Sequence, residues 1–371
     1  MKLKRSSLAV ILLATVAGFF SCNKEDSSSV KPVTTTLDLP ERPYNYNTFF
    51  GSNQLATLGR VLFYDNHLSV NNSISCASCH KQSMAFSDNV TFSSGYENQL
   101  TKRNSLAIQN LGVTNFFMGP NANPPSLFWD GREKFLGSMV LKPIMNHVEM
   151  GMGDLNAIVN KVKAAPYYND LFMEAFNSSD IDINKIARAL STFVASISSN
   201  NTRFDKAQRG GTALNGLEEQ GKLLFFNKYN CNTCHQTQQL NGYQSGGGNG
   251  SEIGFVNIGL DVNYADNGLG ALNGNSSDNG RFKIPNLRNI ALTGPYMHDG
   301  RFSSLDQVLE HYSHNIKNHP NLDVRLKGTN NLAKEMNIST QEKTALIAFL
   351  NTLTDYSLIT DPKFSNPFKV K

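Results

Sequence analysis

Cys76-Ala77-Ser78-Cys79-His80 and Cys231-Asn232-Thr233-Cys234-His235 are the residues of this chain whose types and spacing point to chemistry. In a Cys-x-x-Cys-His run each thiol adds across a haem vinyl group and the histidine becomes the proximal iron ligand. That is the attachment chemistry of a c-type haem. Two Cys-x-x-Cys knuckles serving zinc or redox work would need a histidine to follow by accident twice. The two runs use four of the five cysteines, and the fifth, Cys22, belongs to the N-terminal segment. The sequence therefore predicts two covalently bound c-type haems, with His80 and His235 as the proximal ligands.

A haem iron that does chemistry on a bound molecule, rather than only carrying electrons, needs an open sixth position and a base near it to move protons. After His80 no histidine occurs until His147, so the distal face of the first haem lacks an obvious strong ligand. Glu149 is the candidate base. A carboxylate held against an apolar porphyrin has a raised pKa, which suits a group that must accept a proton and return it. Composition alone would make Glu149 a solvated helix-end acid. The second haem needs a second axial ligand to act as a low-spin electron carrier, and Met297, His298, His311, Tyr312 and His314 are in range. Ser303, with Asp306 three residues later, predicts a helix start that puts Leu305, Val308, Leu309, Tyr312 and Ile316 on one face. Tyr312 sits at the centre of that face, His311 one step away and His314 on the opposite side. A buried core tyrosine is the plain alternative.

The elements around these residues are duplicated. Leu58-Gly59-Arg60-Val61-Leu62-Phe63-Tyr64 precedes the first haem run, and Gln220-Gly221-Lys222-Leu223-Leu224-Phe225-Phe226 precedes the second. Trp129-Asp130-Gly131-Arg132 is matched by His298-Asp299-Gly300-Arg301. The same order of pieces twice implies two related haem domains joined near Arg203 to Leu214. Between them Ile183, Ile186, Ala187, Leu190, Phe193, Val194 and Ile197 recur at helical spacing behind Asp182 as N-cap, a stripe that reads as core packing. Asn241 to Gly280 is rich in Gly and Asn and reads as a long irregular loop. A Ser339-x-x-Glu342 capping box opens a closing helix that runs to Leu353.

Composition and the N-terminus bound the rest. The chain has 371 residues, enough for about two domains of ordinary size, with 40% apolar and 17% charged residues. Lys2, Lys4 and Arg5 precede an apolar run from Leu8 to Phe20. That run fits a secretion signal and is short of the ~20 residues that span a bilayer. Without those three cations, 31 basic residues face 30 acidic ones, a net +1 that gives no reason to expect nucleic acid. Ser21-Cys22 resembles a lipobox, with Cys22 as the lipidated first residue of the mature protein and 23–45 as a polar, Ser-rich tether. A soluble periplasmic protein cut nearby is the alternative. Asn23-Lys24-Glu25-Asp26 resembles a surface-export signal of some Gram-negative lipoproteins. The expected location is the periplasm or the outer membrane, with the membrane reached only through the lipid, and a surface-exposed site is compatible with it.

With these pieces in place the chain resembles the bacterial di-haem cytochrome c peroxidases, the broad family that includes the MauG-type enzymes. The resemblance runs from about Tyr46 to Phe368. It rests on the two haem runs, Arg103-Asn104, Phe128-Trp129-Asp130-Gly131-Arg132, Asn146-His147-Val148-Glu149-Met150-Gly151, and Lys283-Ile284-Pro285-Asn286-Leu287-Arg288-Asn289 through Pro295-Tyr296-Met297-His298-Asp299-Gly300-Arg301. It implies a mainly α fold of two cytochrome c-like domains in tandem with long irregular loops. Residues 46–205 would form the N-terminal, peroxidatic domain and 206–371 the C-terminal, electron-transfer domain. It implies that Glu149 is the peroxide-cleaving acid–base, at a loop where His147 replaces a frequent proline. Trp129, the only tryptophan, would more often be core by itself; the resemblance implies that it lies between the haems and passes electrons. Asn104, Thr293 and Pro295 match an inter-domain calcium site made of neutral oxygens, as calcium accepts. Tyr312 matches a position that supplies methionine in many peroxidases and tyrosine in MauG-type enzymes. Tyrosinate there would lower the haem potential relative to methionine.

Three functions follow as expectations. One is reduction of hydrogen peroxide to water with electrons from a small donor, a cytochrome c or a cupredoxin. The second is a MauG-type, peroxide-dependent oxidation of a partner protein. The third is a non-catalytic di-haem electron carrier, against which Glu149 and the missing distal ligand argue. Pairing of two copies as a homodimer is compatible with each. Lys81 to Phe128 contains no histidine, and Gly95-Tyr96 stands roughly where di-haem peroxidases that rest with a distal histidine carry a Gly-His pair. Met84 or Tyr96 would be weaker ligands. The first iron is therefore expected to be open in the oxidised protein.

Overall fold

The computed structural model describes residues 35–48, 51–112, 126–235 and 254–370. The signal and lipidation segment ending at Cys22, and residues 241–253 of the Gly- and Asn-rich loop, lie outside them. The fold is mainly helical. Among the described residues strands pair only as Thr35–Leu37 with Phe368–Val370 and Phe255–Val256 with Phe282–Lys283, both antiparallel. Among these residues no helix is long and apolar enough to cross a membrane.

Two helix crossings build two hydrophobic cores. The Asn53–Tyr64 helix starts at Ser52, whose side chain accepts the Leu55 N–H at 3.1 Å, and buries Leu55, Leu58, Val61, Leu62 and Phe63. It crosses the Ile183–Ser196 helix, which Asp182 caps by accepting from the Lys185 N–H at 2.9 Å. At the crossing a Cβ on Gly59 would lie 2.0 Å from the Ala189 carbonyl oxygen and 2.7 Å from the Phe193 Cβ. The Gly216–Leu223 helix, continued by a π-helical turn over Leu224–Lys228, repeats the arrangement against Thr340–Asn351. There a Cβ on Gly221 would lie 1.9 Å from the Ala345 oxygen and 2.8 Å from the Phe349 Cβ. Both glycines let two backbones approach more closely than any side chain permits. The Ile183–Ser196 helix is thus the counterpart of the closing helix. The repeat takes in the partner of each glycine-bearing helix, which the sequence shows only as an apolar stripe.

The cores set the domain limits differently from the sequence. The first runs from Tyr46 to Ile197 and adds Leu358 and Phe364, while the second runs from Phe204 to Leu353. Phe204 and the Arg203–Gln208 helix, capped by Thr202 and Asp205, therefore open the second core rather than close the first. Beyond Thr354 the chain returns to the first core. Arg60 Nε donates to the Ser365 carbonyl at 2.7 Å, and Gln82 donates to the carbonyls of Leu358 and Asp361. Full burial of Leu358 and Phe364 stabilises this return by about 1.5–3 kcal/mol per side chain. The expected tether is corrected at its C-terminal end: 35–37 is a strand, and Leu37, Leu39 and Tyr44 pack on the first core. The long loop is corrected too. Its described part holds the Phe255–Val256 strand, a helix at Leu269–Asn273 and a 3₁₀ turn at Ser276–Asp278.

Candidate functional site

Cys76–Cys79 form one helical turn held by a capping box between Ser75 and Ser78. This brings His80 under the turn, with Nδ1 3.0 Å from the Phe86 carbonyl oxygen and 3.3 Å from Ser105 Oγ. Ser105 itself donates to the Cys79 carbonyl at 2.8 Å. An imidazole whose Nδ1 meets a carbonyl carries its proton there and leaves the Nε2 lone pair for a metal. The second run repeats this: His235 Nδ1 lies 3.2 Å from the Pro285 carbonyl oxygen. Burial lowers the pKa of His80 and pushes that of His235 down to about 4, so both are held in the neutral, ligating form. Burial also pushes the Cys76 and Cys231 thiols up to about 12 and Cys79 to about 11. All four thiols are free of disulfides.

Each run opens on a cavity. Cys76, Cys79 and His80 line one of about 890 Å³, and Cys231, Cys234 and His235 line one of about 440 Å³. Paired thiols at one wall, an oriented neutral histidine beneath and a mostly apolar lining fit a covalently attached haem in both.

Glu149 lines the first cavity. Asn146 Nδ2 donates to its Oε1 at 3.1 Å, and the Asn146 carbonyl accepts the N–H groups of Glu149, Met150 and Gly151. Burial raises the pKa of Glu149 against the opposing charge of Arg132. Tyr96 does not line the cavity and neither does Met84. The Tyr96 N–H instead donates to the Glu149 carbonyl at 2.8 Å, and a Cβ on Gly95 would lie 2.1 Å from the Val148 oxygen. The Gly95-Tyr96 pair thus braces the Glu149 loop from behind. The second domain closes the same cavity with Asp266, which accepts from Arg103 Nε at 2.6 Å and Nη2 at 2.9 Å. Asp266 carries no sequence signal beyond its type, and Asn146 stands in the sequence only as a neighbour of Glu149; the folded contacts reveal the parts of both.

Trp129 lines both cavities. Its indole N–H donates to the Asn104 carbonyl at 2.9 Å, the Asn104 N–H donates to the His298 carbonyl at 2.8 Å, and the Trp129 carbonyl accepts from Lys283 N at 2.8 Å. Asn104, Thr293 and Pro295 all line the second cavity. Among the described residues no group of three or more His, Cys, Asp or Glu is placed to hold a metal ion, so a cation there would rest on neutral oxygens.

The axial candidates of the second cavity separate clearly. His311 Nε2 is engaged with the Ile258 carbonyl oxygen at 3.0 Å. His314 is exposed and paired with Glu310 at 2.9 Å. The His298 ring stacks on Phe282 with centroids 3.6 Å apart. Tyr312, Met297 and His298 all line the cavity, and burial raises the Tyr312 phenol. The helix cap is Ser304, not Ser303: Ser304 Oγ accepts from Gln307 N, and the α-helix covers only Leu305–Glu310. A π-helical turn follows over His311–Asn315, so the helix-face spacing used on the sequence does not extend to Tyr312. The wider turn, frequent at functional sites, brings Tyr312 to the cavity by another route.

A family model for di-haem cytochrome c peroxidase matches residues 53–213. Methylamine utilization protein MauG of Methylorubrum extorquens is 32% identical over 299 residues, covering 80% of this chain and 77% of that protein. Cytochrome c551 peroxidase of Nitrosomonas europaea is 34% identical over 302 residues, covering 81% and 80%. The crystal structure of a MauG-like protein associated with microbial copper homeostasis superposes with a TM-score of 0.75 at 33% identity, over 89% of this chain and 97% of that one. The diheme peroxidase BthA of Burkholderia thailandensis shares the fold at a TM-score of 0.65 and 20% identity, over 90% of this chain and 99% of that one.

Proposed function

The chain belongs to the di-haem cytochrome c peroxidase family, as an oxidoreductase with two covalently bound c-type haems, and from that premise we propose that it reduces hydrogen peroxide to water. Electrons come from a small donor protein, a cytochrome c or a cupredoxin. The observation that carries the reading is Glu149 on the same cavity as His80, with its pKa raised by burial. When bound, the haems supply the iron chemistry that cleaves the O–O bond and stores an electron. Glu149 takes a proton from the incoming peroxide and returns it to the departing oxygen, which leaves as water. Asn146 fixes the carboxylate, and Asp266, paired with Arg103, adds the second domain to the cavity wall. Trp129 offers the aromatic link between the two cavities. Calcium at Asn104, Thr293 and Pro295, and a lipid anchor at Cys22 in an exported protein, belong to the same proposal.

A second reading, peroxide-dependent oxidation of a partner protein in the manner of MauG, is favoured by one observation. At the position where many peroxidases carry methionine this chain has Tyr312, which lines the second cavity. Steady-state consumption of peroxide with reduced cytochrome c tests the first reading. Turnover that follows donor oxidation at two electrons per peroxide supports it, and its absence with cytochrome and cupredoxin donors alike favours the second.

A further inference from the structure

Asp65, at the end of the Asn53–Tyr64 helix and only 2% exposed, collects more hydrogen bonds than its turn requires. Its Oδ1 accepts from the His67 N–H at 2.9 Å and lies 2.7 Å from His67 Nδ1. Its Oδ2 accepts from two phenols, Tyr168 at 2.6 Å and Tyr167 at 2.9 Å. The two tyrosine rings lie 4.8 Å apart. Tyr168 is fully buried in the first core, against which Cys76 also packs, and lies within electrostatic reach of the Cys76 sulfur. Tyr167 is half-buried, edge-on to Phe368, and the His67 side chain beside it is 46% exposed. The arrangement leads from the first core, on which Cys76 of the first haem run packs, to the surface in two aromatic steps. A carboxylate stands within proton-transfer distance of both hydroxyls.

We propose that Tyr168 and Tyr167 form a second oxidation site, at which small electron-rich phenols deliver single electrons to the peroxide-oxidised first centre from the surface. The inference rests on the peroxide-reducing reading. Tyr168 gives one electron to that centre and its phenolic proton to Asp65, leaving a neutral tyrosyl radical and a carboxylic acid. Tyr167 then refills Tyr168: an electron passes between the rings, Asp65 returns its proton to the Tyr168 oxygen and takes the one from Tyr167. A phenol at the surface finally reduces Tyr167, Asp65 gives the proton back, and the phenol leaves as a phenoxyl radical after losing its own proton to water. Each cycle moves one electron inward, and two cycles balance one peroxide.

Rapid freeze-quench electron paramagnetic resonance on the haem-loaded protein, mixed with peroxide without donor, tests this while residual peroxide is assayed in parallel. The expected result is a tyrosyl signal that narrows when the protein carries ring-deuterated tyrosine and is absent in Tyr168→Phe. In Tyr167→Phe the radical remains on Tyr168, and 4-methoxyphenol quenches it more slowly than in the wild type. Peroxide consumed without a tyrosyl signal would overturn this inference alone, as would an undiminished signal in Tyr168→Phe. Unchanged quenching in Tyr167→Phe, a surface change that leaves the core ring in place, would overturn it even if Tyr168→Phe failed to load haem. Peroxide left unconsumed would overturn both this inference and the reading beneath it.

Discussion

Trp129 and His298 occupy equivalent places in two copies of one loop, and their rings meet edge to face with centroids 6.4 Å apart. The first loop is closed by a bridge between Leu127 and Glu133, the second by one between Tyr296 and Phe302. Each ring stands two residues after its opening bridge, followed by an Asp-Gly-Arg run with the glycine at positive φ. The duplication thus places one aromatic residue from each domain at the junction. Only the first, being tryptophan, lines both cavities.

Trp129→Phe should keep both haems and slow the exchange of electrons between them. The change removes the indole N–H and leaves the buried Asn104 carbonyl without its donor, at a stability cost of about 1–3 kcal/mol. Flash photolysis of the half-reduced, CO-bound protein reads the exchange directly. A rate equal to wild type would remove Trp129 from the route.

Glu149→Gln should retain the shape and haem content of the site and lose about 10²–10⁴-fold in peroxide turnover. The raised pKa gives the sign of the pH dependence. As pH falls through that value Glu149 takes up a proton and can no longer act as base, so turnover declines on the acid side. The decline begins above the ordinary glutamate value of ~4.3. The variant should lack this limb. A variant within about threefold of wild type, short of the ~100-fold minimum for general acid–base work, would contradict the role.

Gly221→Ala should lower the melting temperature through the second core, since its new Cβ would lie 1.9 Å from the Ala345 oxygen. Overpacking of this kind costs about 1–3 kcal/mol. Differential scanning calorimetry of the haem-loaded protein would show it, and an unchanged transition would mean that the helices part without penalty.

Tyr312→Phe should open the sixth position of the second haem and raise its reduction potential, because tyrosinate favours ferric iron. Spectroelectrochemistry reads both effects. An unchanged low-spin spectrum would move the ligand to Met297 or His298, which also line the cavity.

Much of this was legible in the sequence, for a physical reason: covalent haem attachment demands fixed residues at fixed spacing. The Cys-x-x-Cys-His runs and the Ser339–Glu342 capping box could therefore be read from the letters alone. The contacts that link distant segments could not. The Arg103–Asp266 pair spans 163 residues. The return of Leu358 and Phe364 to the first core depends on packing that no local pattern encodes. Helix periodicity placed Tyr312 on the right side for an incomplete reason, because the chain switches to a π-helical turn one residue earlier. By its position Gly95-Tyr96 offers at most a weak ligand through Tyr96, and the backbone uses the pair to hold Glu149.

The central claim is that the first cavity receives peroxide without a ligand having to leave. Besides His80, the histidine that lines it is His147, an exposed residue on the Glu149 loop, while Met84 and Tyr96 stand outside. Stopped-flow mixing of the all-ferric protein with peroxide is the most direct measurement. An immediate spectral change, with one haem already high-spin before mixing, is the predicted result. No change until one electron is supplied would show that His147 or another group closes the iron at rest, and would contradict the account.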